Sequence, residues 1–189
     1  MKAASLSAAV ALALCSTGAL AGEIKDSEVN ANNAKNYSQG AGSTAKQWIG
    51  VAGGNGRMKE TNVEASNAKN TAEGAGSRAD QVIGAVGGKA AIVDTDIRAR
   101  NAQNTAKGTD SRAEQVIGAA KGKGGIIDSR IHADRAINTA VGSGSTASQQ
   151  IGVVDAKGRL KDVHVHTTQA TNTAGGANST AEQKVGVAK

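Results

Sequence analysis

The sequence predicts an all-β protein, a single-domain β-solenoid of stacked, amyloid-like coils. Three observations predict it. The chain repeats with a fixed period of 34 residues, its polar and apolar residues alternate with period two, and glycine stands where each coil must turn. The period is plainest in three columns. Asparagine occupies Asn36, Asn70, Asn104, Asn138 and Asn172; serine occupies Ser43, Ser77, Ser111, Ser145 and Ser179; glutamine occupies Gln47, Gln81, Gln115, Gln149 and Gln183. No insertion interrupts the five copies.

Residues 1–21 read as a secretory signal peptide. Lys2 supplies the positive n-region, an Ala/Leu/Val run follows, and Ala19-Leu20-Ala21 reads as the cleavage site. The remaining 22–189 divide into five repeats, 22–55, 56–89, 90–123, 124–157 and 158–189, with no separate domain, linker or cap. The single cysteine, Cys15, falls inside the leader, so the expected mature chain has no disulfide to lean on. No later apolar run is long enough to span a membrane as a helix. The expected location is outside the cell or on its surface.

Taking away Lys2 leaves 21 Lys and Arg against 16 Asp and Glu. The signs are interspersed, which describes a solvated surface and no specific nucleic-acid footprint. With 25 Gly, no Pro, no Phe, one Trp and one Tyr, the chain lacks ordinary core bulk. Low bulk is the composition of disorder, yet disorder does not require the same residue at the same place five times. Helices, for which 34 is also a known period, are disfavoured because glycine interrupts each candidate at about 1 kcal/mol apiece.

Each repeat reads as roughly three short strands. Apolar columns run Ile24, Met58, Ile92, Ile126, Leu160; Val29, Val63, Ile97, Ile131, Val165; and Ile49, Ile83, Ile117, Ile151, Val185. Ser77, Ala79, Gln81 and Ile83 share one parity, with Arg78 and Asp80 on the other, as in a half-buried strand. Val63 and Ala65 share a parity opposite to that of Ala68, Asn70 and Ala72, which predicts a bend near Asn67-Ala68. Gly74-Ala75-Gly76, Gly84, Gly53-Gly54-Asn55-Gly56, Gly87-Gly88 and Gly122-Lys123-Gly124-Gly125 mark corners.

Column identity has a physical use in a parallel, in-register stack, where equivalent residues lie about 4.8 Å apart. A buried amide then bonds the amide above and the one below, avoiding the roughly 1–3 kcal/mol that an unpaired buried group costs. The asparagine and glutamine columns are therefore the candidate self-assembly ladders. Outward columns of alternating sign, Glu64 with Arg98, Asp96 with Arg130, Arg100 with Asp134, Glu73 with Lys107 and Lys46 with Asp80, are expected to fix register. A fourth column, Asp26, Glu60, Asp94, Asp128 and Asp162, is expected to form a file of like charges. Such a file raises its own pKa values and favours assembly at mildly acidic pH or with Ca²⁺.

Gly74-Ala75-Gly76-Ser77-Arg78-Ala79-Asp80-Gln81 resembles the curlin repeat of curli-type bacterial functional amyloids, and the polar columns are similar to those of Fap-type fibres. The repeat is longer than the curlin unit, and Ser77 stands where that family has asparagine. The resemblance implies a secreted, self-assembling fibre subunit of a biofilm matrix or cell surface. Its implied partners are further copies of the chain, a nucleator and an outer-membrane secretion pore. The alternative is a monomeric surface solenoid acting as an adhesin or binding module.

No catalytic set stands out, no cofactor is indicated and an enzyme is not expected. His132 and His166 share a column and His164 shares the face of His166. They read as an exposed patch, the alternative being a Zn or Cu site. Tyr37 and Trp48, both in the first repeat, are candidate contacts between subunits.

Overall fold

The computed structural model describes residues 23–89, 91–123, 125–155 and 159–187. The leader reading and Gly124 lie outside the described residues. Five coils stack along one axis. The first contains β1 (Glu23–Lys25), β2 (Glu28–Asn32), β3 (Lys35–Gln39) and β4 (Thr44–Val51). The second contains β5 (Arg57–Lys59), β6 (Asn62–Ser66), β7 (Lys69–Glu73) and β8 (Arg78–Ala85), and the third β9 (Ile92–Val93), β10 (Asp96–Arg100), β11 (Ala102–Lys107) and β12 (Arg112–Ile117). The fourth contains β13 (Ile126–Ile127), β14 (Arg130–Val141) and β15 (Thr146–Val153), and the fifth β16 (Leu160–Lys161), β17 (His164–Gly175) and β18 (Thr180–Val187). The described residues form no helix.

Three parallel sheets wrap the axis. A narrow sheet runs β1-β5-β9-β13-β16, and another runs β4-β8-β12-β15-β18. The third joins β2, β6 and β10 to one half of β14, and β3, β7 and β11 to the other half, with β17 beyond. Each residue pairs with the one 34 further on, as in Ile24 with Met58, Asn104 with Asn138 and Gln115 with Gln149. The period read from the sequence is thus the register of the sheets.

The bend expected near Asn67-Ala68 is present. Asn33, Asn67 and Asn101 take left-handed φ values of 56°, 55° and 53°, which asparagine tolerates better than most residues. One extra left-handed residue flips the pleat, so Ala65 and Ala68 both point inward and both are buried. The fourth and fifth coils carry Arg135 and Gln169 in this column. There the two short strands fuse into the 12-residue β14 and β17.

The interior has a wide end and a thin end. Met58, Ile92 and Ile126 of the narrow sheet cluster with Val63, Ile97 and Ile131 and with Ile83, Ile117 and Ile151. Each fully buried Ile, Val or Met side chain contributes about 1.5–3 kcal/mol. At the other end only Ala72, Ala106 and Ala140 meet Ala79, Ala113 and Ala147. These side chains are small enough for the two sheets to close on each other, so the chain needs no aromatic core. The turn closing this end holds a glycine column in which, from the second coil on, a Cβ has no room. Built on Gly108 it would stand 1.8 Å from the carbonyl oxygen of Gly74.

Candidate functional site

The asparagine column lies on the inward face of β3, β7, β11, β14 and β17. Asn70 Nδ2 donates to Asn104 Oδ1 at 2.9 Å, Asn104 to Asn138 at 2.9 Å, and Asn138 to Asn172 at 2.8 Å. The same Nδ2 groups also donate to backbone carbonyls across the interior. Asn104 reaches Glu114 O at 2.9 Å and Ala79 O at 3.0 Å; Asn138 reaches Ser148 O at 2.9 Å and Ala113 O at 3.1 Å. Asn70, Asn104 and Asn138 therefore each bond a neighbouring coil and also the facing sheet. Asn70, Asn104 and Asn138 are fully buried, whereas Asn36 and Asn172, in the end coils, are half-exposed. Asn70 Oδ1 has no partner, because Asn36 turns its amide to the Lys46 carbonyl.

The glutamine column departs from the expected continuous ladder. Gln149 Nε2 donates to Gln115 Oε1 at 2.7 Å, and Gln47 Nε2 reaches Gln81 Oε1 at 3.5 Å. The remaining donors turn across the coil: Gln115 to Ala102 O at 3.1 Å, Gln149 also to Ala136 O at 3.1 Å, and Gln183 to Ala170 O at 3.3 Å. Gln81 Nε2 and Gln149 Oε1 are buried without partners. Asparagine amides keep the side-chain ladder from Asn70 to Asn172 while also reaching carbonyls of their own coil, whereas the glutamine ladder is interrupted where Gln115 turns to Ala102 O.

The acidic column stacks at the expected spacing, but the pKa rise expected of it is reversed at Glu60. Asp26, Glu60, Asp94, Asp128 and Asp162 are exposed corner residues with left-handed φ between 47° and 50°. Three of them have a lysine neighbour, Lys25–Asp26 at 3.6 Å, Lys59–Glu60 at 2.8 Å and Lys161–Asp162 at 3.6 Å. The Glu60 carboxyl lies below its ordinary value, chiefly because Lys59 donates a hydrogen bond to it. For Glu60 that is the reverse of the rise expected of a like-charge file; the Lys59 hydrogen bond is the first cause, and a hydrogen bond with Asp26 of the same column the second.

The charge columns hold in part. Lys107 meets Glu73 at 3.5 Å and Arg100 meets Asp134 at 4.0 Å, one coil apart as expected. Glu64, however, is met by Arg100 at 3.2 Å, while Arg98 turns to Asp96 at 2.7 Å on its own strand. Arg78 with Asp80 and Arg112 with Glu114 repeat that two-residue pairing, each at 2.9 Å. Residues two apart on a strand share a face, and the guanidinium bends back along it.

His132 and His166 touch, with ring centroids 4.7 Å apart, and His132 Nε2 lies 2.5 Å from Asp134 Oδ1. His164 lines the same shallow hollow with Asp96, Arg98 and Arg130. Among the described residues no group of three His, Cys, Asp or Glu side chains is placed to hold a metal. Tyr37 is 48% and Trp48 57% exposed. The Tyr37 hydroxyl donates to Glu73 at 2.8 Å, which raises the tyrosine pKa and lowers that of Glu73.

Two further columns escaped the sequence reading. Ser27, Thr61, Thr95 and Ser129 follow the acidic corner, and each hydroxyl donates to the carbonyl two residues back, at 2.6–2.9 Å. The mixing of Ser and Thr hid the column; a search for hydroxyls rather than identical letters finds it. Outside the bend, Asn101 donates to Asn67 at 3.1 Å and Asn67 to Asn33 at 3.2 Å. This exposed ladder runs opposite to the inner one.

These features define a parallel β-solenoid whose polar interior is built from repeated amide and hydroxyl columns. No protein-family model, curated protein or solved structure matches the chain.

Proposed function

We propose that this chain is a secreted structural protein that polymerises end to end into an extracellular fibre, a functional amyloid of a biofilm matrix or cell surface. One observation carries the reading: the columns that are sealed inside the stack are open at its fifth coil and partly open at its first, where Ala45, Gln47 and Ile49 stay buried. Ile83, Ile117 and Ile151 are buried, while Val185 of the same column is 45% exposed. Ala113 and Gln115 are buried, while Ala181 and Gln183 are exposed. Ile24, Val29 and Ala31 of the first coil are likewise only partly covered. A parallel strand at either end presents unpaired backbone groups that template another strand, and the chain has no proline to block it. The resemblance of Gly74–Gln81 to the curlin repeat supports the same reading. Leader, export and secretion pore belong to it as well.

The test is negative-stain electron microscopy and thioflavin fluorescence on purified protein over time. Unbranched fibres with a cross-β reflection near 4.8 Å support the proposal. Particles that stay monodisperse at high concentration refute it and favour the binding-module alternative.

A further inference from the structure

We propose that the fibre junction is a specific, polar contact: the fifth coil of one copy receives the first coil of the next as though it were a sixth coil. This rests on the polymer reading above and adds its register, polarity and residue pairs. Every sheet in the molecule is parallel with one offset of 34 residues, so the next coil has one in-register position on β16, β17 and β18. In that position Ile24 follows Leu160, Val29 follows Val165, and Ile49 follows Val185, each extending its own column in kind. Asn172 Nδ2 already donates to its own coil at Glu182 O and to Ala147 O. Asn36 of the next copy would continue that ladder.

Charge complementarity selects this arrangement. The register sets Arg159 of one copy opposite Glu23 of the next, and Glu182 opposite Lys46. Arg159 and Glu23 are exposed, as are Lys46 and Glu182. Lys184, whose Nζ stands beside Glu182, comes over the exposed indole of Trp48. Trp48 heads a column that is otherwise Val82, Val116, Gln150 and Lys184, so the one tryptophan sits where a foreign cation would arrive. Like charges also meet, Lys161 with Lys25 and Asp162 with Asp26, but the fold stacks Lys25 on Lys59 in the same way internally. Two first coils, or two fifth coils, would meet with strands antiparallel and would not continue these columns.

A packing feature points the same way. The backbone bends at a left-handed glycine in β4, β8, β15 and β18 and just beyond β12. A Cβ there would strike the next coil: Gly84 against Ile97 at 2.8 Å, Gly118 against Ile131 at 2.7 Å, Gly152 against Val165 at 2.8 Å. Gly186, in the last coil, has open space around it. By the column rule that space is the seat of Val29 of the next copy.

The test is reciprocal charge exchange with cross-seeding. R159E sets two carboxylates against each other at the junction, and E23R sets two guanidinium groups there. Each is expected to slow elongation about tenfold at low salt, with the effect fading as salt rises. R159E/E23R in one chain restores self-assembly, yet its fibres fail to seed wild-type monomer and wild-type fibres fail to seed it. G186N, which asparagine's tolerance of left-handed φ keeps foldable, retains the single-molecule strand spectrum but blocks elongation. If wild-type fibres form and both single reversals elongate and cross-seed like wild type, the junction is wrong while the polymer stands. If wild type forms no fibre, both fall.

Discussion

Asn104→Ala removes the centre of the inner ladder and should be the most damaging single truncation among the polar columns. The Asn104 amide has two hydrogens to share among Asn138 Oδ1, Glu114 O and Ala79 O, and its Oδ1 accepts from Asn70, all between 2.9 and 3.0 Å. At about 0.5–1.5 kcal/mol net per bond, two donated bonds and one accepted come to roughly 1.5–4.5 kcal/mol. The vacated volume adds to this, because backbone flanks it and cannot collapse. Against a typical total of about 5–15 kcal/mol, that is a large share. Asn36→Ala, in the half-exposed first coil, loses the bond to the Lys46 carbonyl and should cost about 1 kcal/mol. Asn104→Asp keeps the shape but sets an oxygen against the oxygens that the amide hydrogens had bonded, and should be at least as destabilising as alanine. Urea unfolding of freshly prepared monomer, followed by circular dichroism, measures all three. If Asn104→Ala lies within about 0.5 kcal/mol of Asn36→Ala, the column is decoration and the ladder argument fails.

Three other outcomes follow from the same geometry. Proline at Ala113, which pairs with Ala79 and Ala147, removes a donor from the middle of a sheet and should cost about 3 kcal/mol or more and abolish fibres without preventing export; normal fibres in the electron microscope would contradict the pairing. Glu60 is held below its ordinary value in the fold, so its contribution is present above the free carboxylate range and is lost as pH falls through the lowered value. Mild acid should therefore weaken this corner, opposite to the effect expected of a like-charge file, and Glu60→Gln should flatten the acid limb of a thermal-melt series; an unchanged acid limb would contradict the Lys59 pairing. Tyr37 is raised above its ordinary value by Glu73, so its contribution is present below that value and is lost as pH rises through the raised one. Tyr37→Phe should remove that alkaline loss, and spectrophotometric titration of the wild-type phenol reads the shift directly.

Much of the fold was legible because its period and its register are the same number. A 34-residue recurrence of Asn70 at Asn104 and Asn138 is, in a parallel stack, already the list of strand partners. Parity likewise placed the bend at Asn67, since Ala65 and Ala68 point the same way only if one residue between them breaks the pleat. What the letters did not contain was where each side chain spends its hydrogen bonds. Asn104 and Gln115 look equivalent as buried amides in identical columns. Only the closed coil decided that Asn104 also donates along the axis to Asn138, while Gln115 donates to Ala102 instead of to the next glutamine. The acidic column is a stacked file of corners, but a left-handed turn leaves Asp26 and Glu60 exposed beside Lys25 and Lys59, and Glu60 is lowered where the recurrence alone suggested a rise. Recurrence reports that neighbours are alike. Whether they face the core, the corner or the solvent depends on backbone φ and on the spacing of sheets, and those are fixed only when the coil closes.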